Sequence, residues 1–232
     1  MNIQPIIKQD LRNDGKIRLH HMFSTIQGEG PFVGVPAVFL RLAGCNLQCP
    51  LCDTDYTSQE SLVTPDEIVK RVYKLTSPSK LIVITGGEPF TQNLAPLVNA
   101  LFDHGFSIQI ETNGTLFLHD FPYEKVTVVC SPKAGKVSGL LSNYIHSYKY
   151  VLHADSLAAD DGLPLLALDH PAAPRVARPH RGFIGRVYVQ PVDVGEPLGS
   201  PESSRHLQAA IASCLKYGYT LGLQTHKLIN ME

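Results

Sequence analysis

Short apolar runs, many of them β-branched, alternate along this chain with segments whose apolar residues recur at helical spacing. The apolar runs predict buried strands, because strands covered on both faces carry near-continuous apolar sequence. The segments between several of them predict helices packed against a sheet. The predicted strands are 35–42, 80–85, 107–112, 126–130, 149–152, 186–190 and 220–223. Of the predicted helices, the first starts at residue 65, the second ends near residue 104 and the third covers residues 202–217.

This alternation indicates an α/β fold with a mostly parallel sheet. A complete eight-stranded barrel needs about 250 residues, whereas this chain has 232 residues and only six or seven predicted strands. We therefore predict a partial, open (β/α) barrel that forms a single domain over residues 1–232. Residues 154–185 interrupt the alternation with Ala, Pro, Asp and His. We predict an insertion or long loop there, with room for one short helix.

The segment before the first predicted strand lacks a clear period. Residues 1–22 are compatible with an N-terminal strand or an arm, and residues 23–31 contain two glycines and a proline, which predicts a turn-rich loop. This loop holds Gln27 and Glu29 between glycines, where they face either a ligand or only solvent. The first predicted strand carries a single charge, Arg41, which is either an edge residue with its head in water or a site residue.

Glycine-rich or polar clusters come directly after most of the predicted strands. Parallel α/β folds bind their ligands at the carboxyl ends of the strands, so we expect these clusters to meet at one site. They are Gly86-Gly87-Glu88-Pro89, Glu111-Thr112-Asn113-Gly114, Ser131-Pro132-Lys133, Gln190-Pro191-Val192-Asp193 and Gln224-Thr225-His226-Lys227.

Three of the five cysteines, Cys45, Cys49 and Cys52, are spaced C-x3-C-x2-C in a loop broken by Gly44 and Pro50. Thiolates select soft metals such as zinc, copper(I) or an iron–sulfur cluster. Closed zinc and cluster sites usually have four protein ligands. Three thiolates would leave one iron of a four-iron cluster open to a small molecule. The alternative is a structural zinc site completed by a distant histidine.

Composition limits the partners and the setting. Lys and Arg number 20 against 21 Asp and Glu, and no basic run exceeds two residues, so we expect no extended nucleic-acid interface. Without a signal-peptide pattern or an apolar run near the ~20 residues that cross a bilayer, we expect no membrane contact and a cytoplasmic location. Clustered cysteines fit a reducing compartment. Cys130 and Cys214 lie in apolar patterns, which is typical of small buried side chains.

The cysteine spacing, together with Gly86-Gly87-Glu88-Pro89, resembles the radical S-adenosylmethionine (SAM) superfamily. The resemblance implies a partial barrel of the radical SAM type and a [4Fe–4S] cluster on Cys45, Cys49 and Cys52. It also implies SAM on the open iron and a one-electron donor such as flavodoxin. Glycines without side chains would let the backbone approach the SAM amino group, and Glu88 would accept a hydrogen bond from it.

Four further stretches resemble the 7-carboxy-7-deazaguanine synthase family, so that the likeness covers nearly the whole chain. They are 23–30, 52–54, 131–133 and 223–227. In that family a SAM-derived 5′-deoxyadenosyl radical takes a hydrogen from C6 of 6-carboxy-5,6,7,8-tetrahydropterin. The six-membered ring then contracts to a deazapurine with loss of ammonia, on the way to queuosine and related nucleosides. The resemblance also implies a homodimer.

Matched residue by residue, the family pattern assigns several groups of site residues. Those expected to contact the pterin are Ile26, Gln27, Gly28, Arg41, Thr85 and His226. Those expected to line the SAM pocket are Leu51, Cys52, Asp53, Gly87, Glu88, Ser131, Lys133 and Gln190, while Glu111 and Asn113 are expected to reach either ligand. The hydroxyl of Thr54 is expected to bind Mg²⁺, and the planar fork of Arg41 suits the substrate carboxylate. Without the resemblance, Thr54 would be interpreted as a turn-forming hydroxyl. His226 would be interpreted as a structural histidine whose hydrogen bonds are satisfied within the protein.

Two other functional hypotheses use the same cysteines. A radical SAM activase would take hydrogen from a glycine of a partner protein; it would need a docking surface but neither the loop at 27–29 nor Thr54. A zinc-stabilised binding module would have no catalytic activity. Colour separates this module from both enzymes, because a protein isolated without air is brown with a cluster and colourless with zinc.

Overall fold

The computed structural model describes residues 2–75, 80–171 and 175–231. Within these residues the strands are β1 Ile17–Ile26, β2 Pro36–Leu42, β3 Ser61–Val63, β4 Leu81–Gly86, β5 Ser107–Thr112, β6 Val126–Cys130, β7 Ile145–Leu152, β8 Arg186–Pro191 and β9 Thr220–Leu221. The helices are α1 Pro65–Leu75, α2 Ala95–Asp103, α3 Pro201–Tyr217 and α4 Thr225–Leu228. All nine strands join one sheet in the order β3-β1-β2-β4-β5-β6-β7-β8-β9.

Strand β2 and strands β4 to β9 run parallel to one another. Strand β1 pairs antiparallel with both β2 and β3. Because β3 and β9 each have one strand neighbour, the sheet is open, and the predicted α/β fold with an open, mostly parallel sheet is confirmed. The predicted six or seven strands match the parallel part, and antiparallel β1 and β3 come in addition. Strand β1 continues to Ile26, so residues 23–26 are not part of a turn-rich loop. Residues 23–26 form part of β1 because Phe23 pairs with Phe39 and Thr25 pairs with Ala37 on β2.

The two faces of the sheet differ in chemistry. Leu40, Ile84 and Ile110 point outward into a large apolar core that includes side chains from all three long helices. The inner face carries a small apolar group, Ala37, Leu81 and Val83. Further along these strands, the inner positions become polar. The barrel interior is therefore apolar at the amino ends of the strands and polar at their carboxyl ends.

Local signals fixed the helix ends as predicted. The Glu67 N–H donates to Thr64 Oγ1 at 3.3 Å and the Thr64 N–H donates to Glu67 Oε2 at 3.1 Å, which is the capping box expected before α1. Helix α3 ends before Gly218, whose left-handed φ of 78° closes it. Cys130 and Cys214 are buried, as predicted. On α3, Cys214 faces the core, whereas its neighbour Leu215 is 82% exposed.

The predicted insertion contains turns and isolated bridges but, in its described residues 154–171 and 175–185, no helix. Polar contacts replace regular structure there. Arg178 Nε donates to Asp161 Oδ2 at 2.7 Å, and the Tyr150 hydroxyl donates to the Ala177 carbonyl at 2.8 Å. The insertion also reaches the cysteine loop, because the Leu51 N–H donates to the Leu168 carbonyl at 3.2 Å. In the described part of the chain, no helix is both long and apolar enough to span a bilayer.

Candidate active site

The carboxyl ends of the parallel strands place the predicted polar residues along one rim of the barrel. Arg41 and Thr85 are direct neighbours across β2 and β4, and Glu111 pairs with Val129 across β5 and β6. Gln190 occupies the end of β8. The rim divides into a half beside the cysteine loop and a half around the loop at 27–29.

The cysteine loop follows β2 and encloses its thiols. Cys45 and Cys49 are buried and Cys52 is half-buried, and the Cys52 N–H donates to the Cys49 carbonyl at 3.1 Å. Burial raises the pKa of Cys45 to about 12 and that of Cys49 to about 11. Without a metal these groups are neutral thiols, and metal binding would have to release their protons.

The two glycines after β4 pack directly on the cysteine loop. A Cβ on Gly87 would lie 2.2 Å from the Gly44 carbonyl oxygen, and one on Gly86 would lie 2.3 Å from the Leu42 carbonyl oxygen. The Glu88 N–H donates to the Gly44 carbonyl at 3.0 Å. Glycine is therefore required at both positions for packing as well: without side chains, these residues let the end of β4 approach the backbone of the cysteine loop.

Glu88 connects the ends of β4 and β5. Its side chain is fully buried and accepts hydrogen bonds from the Asn113 N–H at 2.7 Å, the Thr112 hydroxyl at 2.7 Å and the Phe90 N–H at 3.0 Å. Burial raises its pKa to about 6, although these hydrogen bonds act in the opposite direction. A carboxylate offers roughly four acceptor positions. One position therefore remains for a ligand donor.

Asn113 lies on the side of the cysteine loop. Its Nδ2 donates to Asn46 Oδ1 at 3.0 Å, and Asn46 Nδ2 donates in turn to the Thr115 hydroxyl at 2.8 Å. Lys133 Nζ donates to the Ser131 carbonyl at 3.0 Å, and burial lowers the pKa of Lys133. These residues and Glu88 make the half of the rim next to the thiols polar.

The other half of the rim is a buried charge network, which we call the lysine network: Lys149, Glu29, Glu111, Gln190 and Gln224. Lys149 is only 7% exposed and its Nζ contacts Glu29 Oε2 and donates to Glu111 Oε2 at 3.3 Å. Gln190 and Gln224 donate to Glu29 Oε1 at 3.0 and 2.8 Å. Burial would raise the pKa of Glu29, but the charge of Lys149 and these hydrogen bonds lower it. Glu29 is therefore ionised at neutral pH.

The predicted substrate loop joins this network. Gln27 Nε2 donates to Glu111 Oε1 at 3.1 Å, and Gln109 Nε2 donates to the same oxygen at 2.9 Å. Glu111, which the resemblance assigned to either ligand, thus lies with Gln27, while Asn113 lies with the cysteine loop. Gln190, assigned to the SAM pocket, also lies in the lysine network.

The C-terminal segment packs on the same loop. A Cβ on Gly28 would lie 1.9 Å from His226 Nδ1, so only glycine fits there. The Thr225 N–H donates to the Gly28 carbonyl at 3.1 Å. Burial lowers the pKa of His226, which leaves its imidazole neutral near pH 7. Two predicted substrate residues from opposite ends of the chain are therefore in direct contact.

Several site atoms are buried without a hydrogen-bond partner among the described residues: Arg41 Nε, Ser131 Oγ and Gln190 Oε1. Arg41 also places its guanidinium 5.4 Å from the centre of the Phe23 ring. Buried polar atoms are rarely left unpaired. A polar ligand or water at the rim would supply the partners that these three atoms lack.

The mouth of the site holds the remaining predicted residues. Leu51 and Asp53 are exposed, and Thr54 donates its hydroxyl to Asp53 Oδ1 at 3.2 Å. Asp53 Oδ2 lies 3.6 Å from Lys227 Nζ. Ile26 ends β1 and is half-buried.

Lys149 and Gln109 were not predicted as site residues, Gln224 was expected there only as a member of the cluster 224–227, and the role of Glu29 was left open. The signal used for Arg41, a single charge in an apolar strand, applies equally to Lys149. It was missed because the predicted strand began at residue 149, whereas β7 begins at Ile145.

A model of the radical SAM superfamily matches residues 40–128, which contain the three cysteines and the glycines after β4. The fold and the cysteine loop thus define a radical SAM protein. The chain is 42% identical to 7-carboxy-7-deazaguanine synthase from Rhodospirillum rubrum, covering 92% of each chain. It is 30% identical to the synthase from Escherichia coli, covering 92% of this chain and 98% of that one. The chain belongs to the 7-carboxy-7-deazaguanine synthase family.

The structural comparison agrees. The crystal structure of QueE from Escherichia coli matches with a TM-score of 0.68 and 25% sequence identity, covering 90% of this chain and 93% of that one. The family assignment favours an enzyme with its own small-molecule substrate over the activase and the zinc-stabilised module.

Membership of the radical SAM superfamily implies a [4Fe–4S] cluster and SAM, and the donor set fits both. The loop offers three thiols for three irons and no fourth cysteine. Within the described residues no three His, Cys, Asp or Glu side chains converge tightly enough to share one metal ion. Cluster thiolates bind separate irons and do not need that convergence. For SAM, Ser131 Oγ has no partner among the described residues, and the Glu88 carboxylate accepts three of roughly four possible hydrogen bonds.

Proposed function

We propose that this chain converts 6-carboxy-5,6,7,8-tetrahydropterin to 7-carboxy-7-deazaguanine with loss of ammonia, for queuosine and related deazapurines. One observation carries the proposal at the level of residues. Three of the positions expected to bind the pterin come from opposite ends of the chain yet lie together beside the lysine network, where Gln27 contacts Glu111 and Gly28 contacts His226.

The charged groups along the rim suit the proposed substrate. Arg41 would receive the substrate carboxylate in its planar fork, which would supply the partner that its buried Nε lacks. Oε2 of Glu29 and Oε2 of Glu111 each accept from Lys149 alone within the described residues. Each therefore keeps an acceptor position for an N–H group of the pterin ring. Thr85, beside Arg41 in the sheet, and Ile26 would complete the pocket wall.

The half beside the cysteine loop would hold the cofactors. Cys45, Cys49 and Cys52 would bind the cluster. When bound, the cluster and SAM supply one-electron bond cleavage, and the protein keeps the two ligands close and water out. The SAM pocket would be lined by Leu51, Cys52, Asp53, Gly87, Glu88, Asn113, Ser131 and Lys133, with Gln190 at its border to the lysine network.

Incubation without air tests the proposed reaction directly. Reconstituted protein with SAM, dithionite and the carboxy-tetrahydropterin is expected to form a product with deazapurine absorbance, together with one ammonia. Substrate-independent cleavage of SAM, with the pterin recovered unchanged, would overturn the proposed substrate while leaving the radical SAM assignment intact.

Arg41→Ala is expected to weaken pterin binding far more than SAM binding. The loss is about 2–5 kcal/mol, because the substrate carboxylate would be left buried and unpaired. Dissociation constants for both ligands, measured on cluster-loaded protein, check this. Arg12→Ala serves as the control, since Arg12 is an exposed arginine paired with Asp14. An equal loss for both ligands would make Arg41 a structural residue.

We also propose Mg²⁺ as a cofactor, bound through the Thr54 hydroxyl. Oxygen donors suit this hard cation, and Mg²⁺ usually takes only one or two protein ligands beside substrate oxygens and water. Thr54→Ala is expected to lower turnover and flatten its Mg²⁺ dependence, whereas Thr54→Ser retains much of both. Substrate-free SAM cleavage stays nearly unchanged. Because Thr54 bonds to Asp53, Asp53→Ala is measured in parallel. If only that variant loses the Mg²⁺ response, Asp53 is the ligand.

The remaining expectations rest on the resemblance. We propose that a flavodoxin-like protein supplies the electron, that two chains form a homodimer, and that the enzyme works in the cytoplasm. We propose further that residues 1–232 are one domain with an insertion at 154–185, which the contact between Leu51 and Leu168 ties to the cysteine loop.

A further inference from the structure

The chain before β1 forms an arm that lies across the cysteine loop. The Asn2 N–H donates to the Pro50 carbonyl at 3.0 Å, and the Ile7 N–H donates to the Cys45 carbonyl at 2.8 Å. Asn2 Nδ2 also donates to the Cys49 carbonyl at 3.2 Å. The backbone around two of the three cysteines is thus held by residues from the start of the chain.

Gln4 makes the most extensive side-chain contacts of the arm. Its Nε2 donates to the Thr54 carbonyl at 2.9 Å. Its Oε1 accepts from the Tyr56 N–H at 2.8 Å and from the Thr57 hydroxyl at 3.0 Å. The backbone carbonyl of Gln4 accepts from Gln48 Nε2 at 2.7 Å. One amide side chain therefore donates a hydrogen bond to the backbone before residue 55 and accepts hydrogen bonds from the two residues after it.

This contact matters because residues 53–60 belong to no helix or strand. Their backbone position therefore depends on individual hydrogen bonds. Threonine is β-branched and stiff about χ1, so the direction of the Thr54 hydroxyl follows from the placement of its backbone. Gln4 bonds to the Thr54 carbonyl itself, and Tyr56 next to it is buried. A change at Gln4 would therefore displace the hydroxyl without touching it.

We propose that Gln4 is a positioning residue that holds Thr54 in place for the divalent cation. The inference rests on the proposed role of Thr54. It makes Gln4, a residue of the N-terminal arm, necessary for full affinity for the divalent cation. Gln4 is not among the residues expected to contact either ligand; it acts through the backbone of residues 54–56.

The test uses Mn²⁺ as the probe in place of Mg²⁺, since both prefer oxygen ligands. Cluster-loaded protein, SAM and the pterin are titrated with Mn²⁺, and free Mn²⁺ is measured from its room-temperature EPR signal. Gln4→Ala is expected to weaken Mn²⁺ binding about tenfold, the effect of one or two net hydrogen bonds. The matched control is Gln9→Ala, because Gln9 anchors the same arm to the Phe90 carbonyl at 2.9 Å. Its Mn²⁺ affinity is expected to stay unchanged.

A second variant guards against loss of the fold. Gln4→Glu has the same shape and keeps an acceptor for the Tyr56 N–H, but it cannot donate to the Thr54 carbonyl when ionised. It is expected to load iron normally and to weaken Mn²⁺ as Gln4→Ala does. Poor iron loading in both Gln4 variants would overturn the inference, because Gln4 would then serve the cluster loop as a whole. Equal weakening in Gln9→Ala would overturn it as well.

A double-mutant cycle separates this inference from the proposed role of Thr54. If Thr54→Ala leaves Mn²⁺ binding intact, the proposed metal ligand is wrong whatever Gln4 does. If Thr54→Ala weakens Mn²⁺ binding and Gln4→Ala does not, the ligand stands and the inference about Gln4 fails. Coupled residues are not additive. We therefore expect Gln4→Ala to have no further effect in the Thr54→Ala background.

Discussion

Replacing Cys45, Cys49 or Cys52 with serine is expected to abolish SAM cleavage. Each thiolate would bind a different iron, and a hydroxyl is a poor ligand for soft metals. The loop offers no substitute, because the other two cysteines, Cys130 and Cys214, lie buried elsewhere in the core. Iron content and 5′-deoxyadenosine formation, measured on protein reconstituted without air, check this.

The two core cysteines are the matched controls. Cys214→Ser and Cys130→Ala are expected to keep both iron and SAM cleavage. Alanine is chosen for Cys130 because it is completely buried, and an unpaired hydroxyl there would add a stability cost. A cluster that assembles without Cys49 but not without Cys130 would contradict the ligand assignment.

Lys149→Met is expected to destabilise the protein by about 3–5 kcal/mol, because it leaves buried carboxylates without their partner cation. In the wild-type chain the lowered pKa of Glu29 contributes stability that is present above its ordinary pKa and is lost only as the pH falls toward the lowered value. Without Lys149, burial is opposed only by the hydrogen bonds from Gln190 and Gln224, and the pKa of Glu29 rises. Pterin turnover is then expected to be poor at neutral pH and to recover as the pH increases.

The pH dependence of kcat/KM for the pterin measures this effect separately from folding. SAM cleavage without substrate is recorded on the same samples and is expected to change little, since the lysine network lies on the other half of the rim. Lys125→Met is the control, because Lys125 donates to Asn99 at 2.8 Å, away from the site. An unchanged pH profile in a folded Lys149→Met variant would show that the network has no part in substrate binding.

Much of the fold was predictable because its signals are local. Strands β5 and β6 have the predicted limits, since turn residues follow each of them directly. Strand β1 was left open as a strand or an arm within residues 1–22, and β3 was not predicted, because their polar residues hide the pattern and their pairing is set by distant partners. The sequence of the insertion has no hydrophobic periodicity, because polar contacts such as the one between Arg178 and Asp161 hold its backbone in place.

The site was predictable only where motifs name residues. Cysteine spacing and the glycines after β4 located the half beside the cysteine loop. The lysine network was not visible, since Glu29, Glu111 and Lys149 acquire a shared meaning only when the sheet brings three strand ends together. Likewise Gln4 carries no local signal: its partners lie about fifty positions away along the chain.

The contact between the loop at 27–29 and the C-terminal segment also bears on the order in which the molecule is made. Glu29 and Gln224 are 195 positions apart and share a hydrogen bond. During synthesis the loop emerges early and must wait for almost the entire chain before this partner exists, and contacts of such separation form slowly. A nascent chain that ends before residue 224 has all the strands described above, but the proposed substrate pocket lacks Gln224 and His226. Substrate binding should therefore arise only after residue 224 has joined the folded sheet.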